Sequence, residues 1–126
     1  MTASHVLWKQ SMGSYVPSPV VADGHMYWVD DRGTAVCLKA DTGKQVYRQR
    51  LPGASGVYAS PVVADGKLYA VTRRNGTFVL PARPEFTVLA HNRFASDSTD
   101  FNASPAVSAG RILLRSNRSL YCIAAK

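Results

Sequence analysis

The sequence predicts an all-β protein, a partial β-propeller of about three four-stranded antiparallel blades. The first observation is a ten-residue segment, residues 18–27, that recurs as residues 60–69 and, more weakly, as residues 104–113. The second is the period of 42 to 44 residues, which is in the range of propeller blades and not of helical repeats. The third is the alternation of short apolar runs with Gly, Pro, Asp and Asn, which is typical of strands joined by tight turns.

The N-terminal part predicts one isolated strand and then one complete blade. Residues 5–10 are apolar and aromatic and predict the fourth strand of a preceding blade. The first blade covers residues 15–56, and its Asp23-Gly24 pair suits the positive φ angles of a hairpin turn. Its four strands are expected at residues 20–22, 26–29, 34–38 and 45–50.

Two further units follow the same plan, so that repeats cover residues 5–126. In the second blade, residues 57–100, the third and fourth strands are joined through Pro81 and Pro84, which cannot donate ladder hydrogen bonds and suit a solvent-facing loop. Its strands are expected at 62–64, 68–72, 77–80 and 86–90. The third unit, residues 101–126, is an incomplete blade with strands near 106–107, 112–114 and 120–124 and no fourth strand.

The apolar faces of such sheets are buried only when the sheets stack on one another. Apolar strand residues are therefore expected to form the core, among them Val20, Val62, Val107, Tyr27 and Tyr69. Cys37 and Cys122 occupy equivalent third-strand positions two blades apart, which is too far for a disulfide. We expect both to be small buried residues with free thiols.

The number of blades leaves two architectures open. Three blades are fewer than the usual minimum of about four that surround a propeller axis. The chain is therefore either the C-terminal part of a larger propeller or one half of a ring built from two copies. In the second alternative, a fourth strand donated between chains pairs both open sheet edges and produces a homodimer.

The repeat resembles the PQQ-like propeller repeat of quinoprotein dehydrogenases and of the outer-membrane assembly propeller lipoprotein. The resemblance rests on Ser-Pro-Val-Val-Ala-Asp-Gly followed by Tyr, on the turn at residues 39–44, and on Trp8, the aromatic residue that the family commonly places after that turn. Tyr47 takes this place in the first complete blade. The ending, residues 102–123, resembles that of exported bacterial members, which implies a parent protein that is periplasmic, in the cell envelope or secreted.

The resemblance makes a quinone cofactor only a remote expectation. Quinoprotein dehydrogenases hold the quinone over a Trp floor and under a disulfide of adjacent cysteines, with a calcium-binding carboxylate and amide and a catalytic Asp. This sequence has no adjacent cysteines. Asp30-Asp31 and Asp97 with Asp100 have the chemistry of hard-cation ligands but no recognised loop spacing. We predict no catalytic, cofactor-binding or metal-binding residues.

Composition limits the classes of partner. The net charge of +7 favours anionic partners in general, but the basic residues are scattered and Arg73-Arg74 is the only adjacent basic pair. No specific nucleic-acid interface is therefore indicated. The sequence has no apolar run near the roughly 18 residues of a membrane span, and its N-terminus does not have the pattern of a secretory signal peptide.

Loops at one end of the ring are the expected place for partner contacts, because strands supply rigidity and loops supply variety. The fourth-to-first connections, residues 51–59 and 95–103, should share a face with the second-to-third connections at Arg32 and residues 73–75. The partner-binding candidates on this face are Tyr58, Arg73, Arg74, Asp100 and Phe101.

These observations favour a non-catalytic binding or scaffolding propeller segment whose partners are proteins or other propeller blades. One alternative is a segment of a PQQ-dependent dehydrogenase whose active site lies elsewhere in the parent chain. Another is a basic surface that binds polyanions with a strong salt dependence.

Overall fold

The computed structural model describes residues 5–124, which form an all-β partial propeller. Its strands are β1 Val20–Ala22, β2 His25–Val29, β3 Thr34–Lys39, β4 Gln45–Arg50, β5 Val62–Ala64, β6 Lys67–Val71, β7 Thr77–Pro81, β8 Ala90–Asn92, β9 Ala106–Ser108, β10 Arg111–Arg115 and β11 Leu120–Ala124. They make antiparallel sheets with the orders β1-β2-β3-β4, β5-β6-β7-β8 and β11-β10-β9. The first two sheets are the predicted four-stranded meanders, and the described part of the third has three strands.

The first hairpin of each sheet turns at the repeated residue pair that predicted it. Asp23, Asp65 and Ala109 have φ angles of 48°, 51° and 49°, and each is followed by a glycine that also has positive φ. Two successive positive φ angles match the right-handed twist of the strands on either side. The register follows, with Ala22 opposite His25 across the first turn.

Repeated serines join consecutive sheets side by side. β1 lies next to β5, and β5 lies next to β9, so the first strands of the sheets are neighbours as they are around a propeller axis. The backbone N–H of Ser18 donates to Ser60 Oγ at 2.8 Å, and the N–H of Ser60 donates to Ser104 Oγ at 2.8 Å. The recurring Ser-Pro dipeptide therefore links each blade to the next.

The main core lies between the first and second sheets. Its buried residues are Tyr27, Val29, Ala35, Cys37 and Tyr47 from the first sheet and Leu68, Ala70, Phe78 and Leu80 from the second, together with Leu51, Ala54 and Val57 of the connection. A smaller cluster, centred on Val71, Phe101 and Leu114, joins the second sheet to the third. Each interface is apolar, which is the stacking that the repeat requires.

The expected core residues differ in how deeply they are buried. Tyr27 is fully buried, as predicted, whereas Val20, Val62 and Tyr69 are half-buried. The prediction is wrong for Val107, which is 39% exposed. The reason is that a cavity of about 790 Å³ separates the second and third sheets beside Val107.

The N-terminal segment differs from its predicted form. Residues 6–10 pair with no strand among residues 5–124, where the sequence predicted a fourth strand. A strand needs a neighbouring ladder, and no described sheet offers one to this segment. Trp8 nevertheless packs on the first sheet beside Trp28 and Leu38, and its Nε1–H donates to the Ala40 carbonyl oxygen at 2.9 Å.

The fourth strand of the second sheet begins later than predicted. It spans Ala90–Asn92 and not residues 86–90, with Ala90 opposite Val79. The returning chain first contacts β7 when the N–H of Leu89 donates to the Val79 oxygen at 2.7 Å. Before that point the loop directs Phe86 and Val88 into the main core, so their apolar character reflects burial in a loop and not a strand.

Both cysteines are free thiols, as predicted, but only Cys37 is buried. The expectation of a buried Cys122 is wrong, because it lies in β11 on the sheet face opposite Tyr121, which packs toward the second sheet. No sheet within residues 5–124 covers that face. Cys37 is enclosed between two sheets, and burial raises the pKa of its thiol.

Candidate functional site

The two predicted loop sets meet at one end of the sheets. The N–H of Val57 donates to the Asp31 oxygen at 3.2 Å, and the equivalent N–H of Phe101 donates to the Arg73 oxygen at 2.8 Å. The N–H of Arg73 also donates to the oxygen of Gly56, which lies in the first connection, at 2.8 Å. Repeated backbone hydrogen bonds thus fix the second-to-third turns against the connections between blades.

Arg73, Arg74 and Asp100 form the charged centre of this end. Arg73 Nη2 lies 2.8 Å from Asp100 Oδ2, and Arg74 Nε lies 2.6 Å from Asp100 Oδ1. Arg73 also donates through Nε to Asn102 Oδ1 at 2.7 Å. The hydrogen bond from Arg74 is the main cause that holds the pKa of Asp100 below its ordinary range. Both acceptor oxygens of Asp100 are therefore engaged.

Two tyrosines extend this charged centre. The guanidinium carbon of Arg73 lies 4.3 Å from the centre of the Tyr58 ring, which is a cation–π contact. Tyr15 packs edge-on against Tyr58 with 6.2 Å between ring centres. Tyr15 itself is 79% exposed. We call the surface made by Tyr15, Tyr58, Arg73, Arg74 and Asp100 the loop face.

The structure brings four of the five partner-binding candidates together and places the fifth elsewhere. Phe101 is 8% exposed and stacks with Phe94 and Tyr121 between the second and third sheets. Its position in the repeat is that of buried Val57, so its side chain belongs to the core and only its backbone reaches the loop face. Sequence reasoning missed Tyr15, which the repeat places 42 residues before Val57.

Asp30 stabilises a turn. Its Oδ1 accepts hydrogen bonds from the N–H groups of Arg32 and Thr34, both at 2.9 Å. Thr72 and Ser116 occupy the equivalent positions and accept backbone N–H groups of their own turns in the same way. All three side chains are buried. The repeated position is therefore a turn cap, which satisfies N–H groups that would otherwise be buried without acceptors.

Asp97 joins its own loop to the third sheet. Its Oδ1 accepts the Thr99 hydroxyl at 2.5 Å, and its Oδ2 accepts the Ser116 hydroxyl at 2.7 Å and the Tyr121 hydroxyl at 2.6 Å. These hydrogen bonds, with that from Thr99 first, hold the pKa of Asp97 well below its ordinary range. Among the residues that the structure describes, no group of three or more His, Cys, Asp or Glu side chains could hold a metal ion.

A cavity of about 390 Å³ adjoins the loop face at Arg74, and its wall includes Asn92, Arg93, Ser98 and Thr99. Asp97 also lines it, but its oxygens are occupied by the contacts above. The side chains of this end thus present tyrosine rings, guanidinium groups and hydroxyls on a backbone fixed by repeated hydrogen bonds. Tyrosine and arginine are the residue types that protein interfaces favour.

No helix of the described part is long and apolar enough to cross a membrane.

Comparison with known proteins identifies relatives by sequence and by structure. A family model described as outer membrane protein assembly factor BamB matches residues 3–83, which is more than half of the chain. A comparison with curated protein sequences finds no match.

Several solved structures share the fold. BamB from Moraxella catarrhalis superposes with a TM-score of 0.73 at 14% identity, covering 93% of this chain and 36% of that one. The quinohemoprotein alcohol dehydrogenase of Comamonas testosteroni has a TM-score of 0.63 at 19% identity, over 80% of this chain and 17% of that one. The quinohemoprotein alcohol dehydrogenase ADHIIG of Pseudomonas putida HK5 has a TM-score of 0.60 at 17% identity, over 85% of this chain and 17% of that one. The chain therefore spans about a third or less of the length of these structures.

Proposed function

The chain belongs to the family of the outer membrane protein assembly factor BamB, and we propose that it is a non-catalytic binding or scaffolding segment of a larger exported bacterial propeller. Its loop face binds a protein partner in the bacterial cell envelope. The match to the family model of an outer membrane protein assembly factor supports both the location and a role in assembly.

One observation carries this proposal: three carboxylates at this end of the sheets are already used to hold the fold. Asp30 caps a turn, Asp97 binds three hydroxyls, and Asp100 binds two guanidinium groups. A general base or a cation ligand needs free oxygen lone pairs, which these carboxylates have largely given to internal donors. What remains exposed on the loop face is Tyr15 and the outer edge of Arg74.

The two cysteines do not fit the cap of a quinone site. Cys37 and Cys122 lie in different sheets, one buried and one exposed, so they cannot form the cap of adjacent cysteines. The rival function, a segment of a quinone-dependent dehydrogenase, rests on the fold shared with the two alcohol dehydrogenases. Titration with pyrroloquinoline quinone and Ca²⁺ separates the two functions, because saturable binding to this chain would overturn the non-catalytic proposal.

Site-specific photo-crosslinking in a bacterial envelope tests the loop face. A photoreactive phenylalanine analogue at Tyr15 is expected to give one discrete protein adduct, which Arg74→Glu removes by reversing a charge on the same loop face. The matched control carries the analogue at Arg111, which is exposed at the opposite end of the sheets, next to a first-hairpin turn. Equal labelling from both positions, or adducts that Arg74→Glu leaves unchanged, would contradict the proposal.

The homodimeric ring is the alternative arrangement of the same scaffold. Light scattering of the purified chain distinguishes it: a segment of a larger propeller is expected to be monomeric, and a ring of two copies is a dimer that persists on dilution.

A further inference from the structure

The cavity that adjoins the loop face at Arg74 combines buried apolar residues with exposed basic ones. It measures about 390 Å³, which is near the lower end of the roughly 300–1,000 Å³ of ligand sites. Every residue that lines it lies between positions 71 and 101, well inside the described part of the chain. Val71 and Phe101 are buried on its wall, whereas Arg74 and Arg93 are exposed. A cavity of this kind has room for a side chain or a small ion with an anionic end.

The chain itself positions the two arginines of this cavity. Arg74 donates through Nε to Asp100 Oδ1 at 2.6 Å, while 70% of its side chain stays exposed. The Arg93 side chain passes over Gly76, where an added Cβ would lie 2.7 Å from Arg93 Cγ. Gly76 therefore leaves the room that lets Arg93 lie against the second-to-third turn of its sheet. Both guanidinium groups keep N–H donors that have no acceptor within residues 5–124.

The charge on the cavity wall favours an anion. Arg93 has no carboxylate within 4.0 Å among residues 5–124. Asp97 is the acidic residue of the wall, but it is buried and accepts the hydroxyl groups of Thr99, Ser116 and Tyr121. Two guanidinium groups with free donors therefore outweigh one carboxylate whose oxygens are already engaged.

We propose that this cavity binds a glutamate side chain from an acidic segment of the protein that docks on the loop face. The carboxylate pairs with Arg93 and Arg74, and the methylene groups of the glutamate contact Phe94. This inference rests on the function proposed above, because it names the chemistry of that partner. A protein segment fits better than a nucleic acid, since a nucleic acid needs a continuous basic surface and the neighbouring exposed group of the loop face is Tyr15.

Titration of the whole chain, followed by nuclear magnetic resonance, tests the ligand class. The probes are the peptide acetyl-Gly-Glu-Tyr-Glu-amide and its uncharged counterpart acetyl-Gly-Gln-Tyr-Gln-amide. The glutamate peptide should shift the backbone amide signals of Ser98 and Thr99 saturably at millimolar concentration. The glutamine peptide should bind at least about tenfold more weakly, because it lacks the charge-assisted hydrogen bonds. Equal affinity for the two peptides, or no saturable shift with the glutamate peptide, would overturn the proposal.

Inorganic phosphate is the third probe, because a free anion has the same charge as a carboxylate. Phosphate should bind more weakly than the glutamate peptide, since it makes no contact with the apolar wall. If phosphate shifts the same signals at lower concentration than the peptide, the cavity is a site for a free anion and the proposal of an acidic protein segment is wrong.

Variants of exposed arginines place the binding in the cavity. Arg93→Gln should weaken binding of the glutamate peptide about tenfold, and Arg74→Gln should weaken it in the same direction. Arg111→Gln is the matched control, because Arg111 is exposed at the opposite end of the sheets and its loss changes the net charge equally. Undiminished binding in Arg93→Gln, or an equal loss in Arg111→Gln, would contradict the site.

The photo-crosslinking experiment separates failure of this inference from failure of the proposed function. With the analogue at Tyr15, Arg93→Gln should reduce the protein adduct and Arg111→Gln should not. An adduct that Arg93→Gln leaves unchanged contradicts the glutamate site and keeps the proposed function. Saturable binding of the glutamate peptide without any adduct at Tyr15 contradicts the proposed function and supports the glutamate site.

Discussion

Removing the Trp8 side chain tests whether the N-terminal segment docks on the first blade. The indole is half-buried against Trp28 and Leu38, and its Nε1–H donates to the Ala40 oxygen at 2.9 Å. Truncating a fully buried aromatic residue costs about 3–5 kcal/mol, and half burial reduces that to about 2 kcal/mol. Loss of the hydrogen bond adds about 1 kcal/mol. Trp8→Ala should therefore lower the free energy of unfolding by about 3 kcal/mol.

The assay is urea unfolding followed by far-ultraviolet circular dichroism, with the slope against urea unchanged. Trp8→Phe keeps most of the ring contact and loses the hydrogen bond, so its loss should be about 1 kcal/mol. Leu7→Ala is the control, because Leu7 is 88% exposed, and its effect should stay within about 0.5 kcal/mol. If Trp8→Ala also stayed within that limit, the docking of this segment would be refuted.

Three other perturbations probe the links of the repeat. Gly43 has a φ of +74°, and a Cβ there would overlap the Trp8 indole. Gly43→Ala should therefore lower the free energy of unfolding by more than the about 1–2 kcal/mol of a left-handed alanine. The additional loss should vanish in the double variant with Trp8→Ala, and an unchanged loss there would contradict the contact. Ser60→Ala removes the acceptor for the Ser18 N–H and should destabilise the chain by about 1 kcal/mol in urea unfolding; no loss would mean that this hydrogen bond does not hold the blades. The pKa of Asp97 is lower in the folded chain than in the unfolded chain, so its carboxylate stabilises the fold above the unfolded pKa of about 3.9 and loses this contribution as the pH falls below that value. The midpoint of thermal unfolding of Asp97→Asn should therefore fall less steeply in acid than that of the wild type. Midpoints that fall in parallel for the two proteins would contradict the assignment.

Local signals in the sequence were sufficient for most of the sheets. β1, β4, β5 and β11 have their expected bounds, because each adjoins a turn whose residues fix its end, such as Asp23-Gly24. The prediction of a strand at 86–90 is wrong, because Phe86 and Val88 lie in a loop that fills the core. Such apolar loop residues cannot be told from strand residues by their type alone. Trp8 shows the converse, since it contacts the turn at Gly43 without a ladder.

The loop face was predictable in its position and only partly in its members. Repeat geometry placed Tyr58, Arg73, Arg74 and Asp100 together, because equivalent loops of stacked sheets lie at the same end. Comparison of Asp30 with Thr72 and Ser116 would have exposed the turn cap, since the three positions are 42 and 44 residues apart.

Partners that are distant in sequence gave no local signal. The hydroxyl groups of Ser116 and Tyr121 that bind Asp97 lie 19 and 24 residues away from it. The exposure of Cys122 and the cavity beside Val107 depend on how neighbouring sheets meet, which no single repeat encodes.

Amide hydrogen exchange of the three equivalent serines tests the stacked-blade architecture most directly. Ser18 and Ser60 donate their N–H groups to the serine of the next blade, and within the described residues Ser104 N–H has no such acceptor. Nuclear magnetic resonance should find the Ser18 and Ser60 amides protected and the Ser104 amide exchanging at close to its free rate. Fast exchange at all three serines would contradict the hydrogen-bonded stacking of the blades.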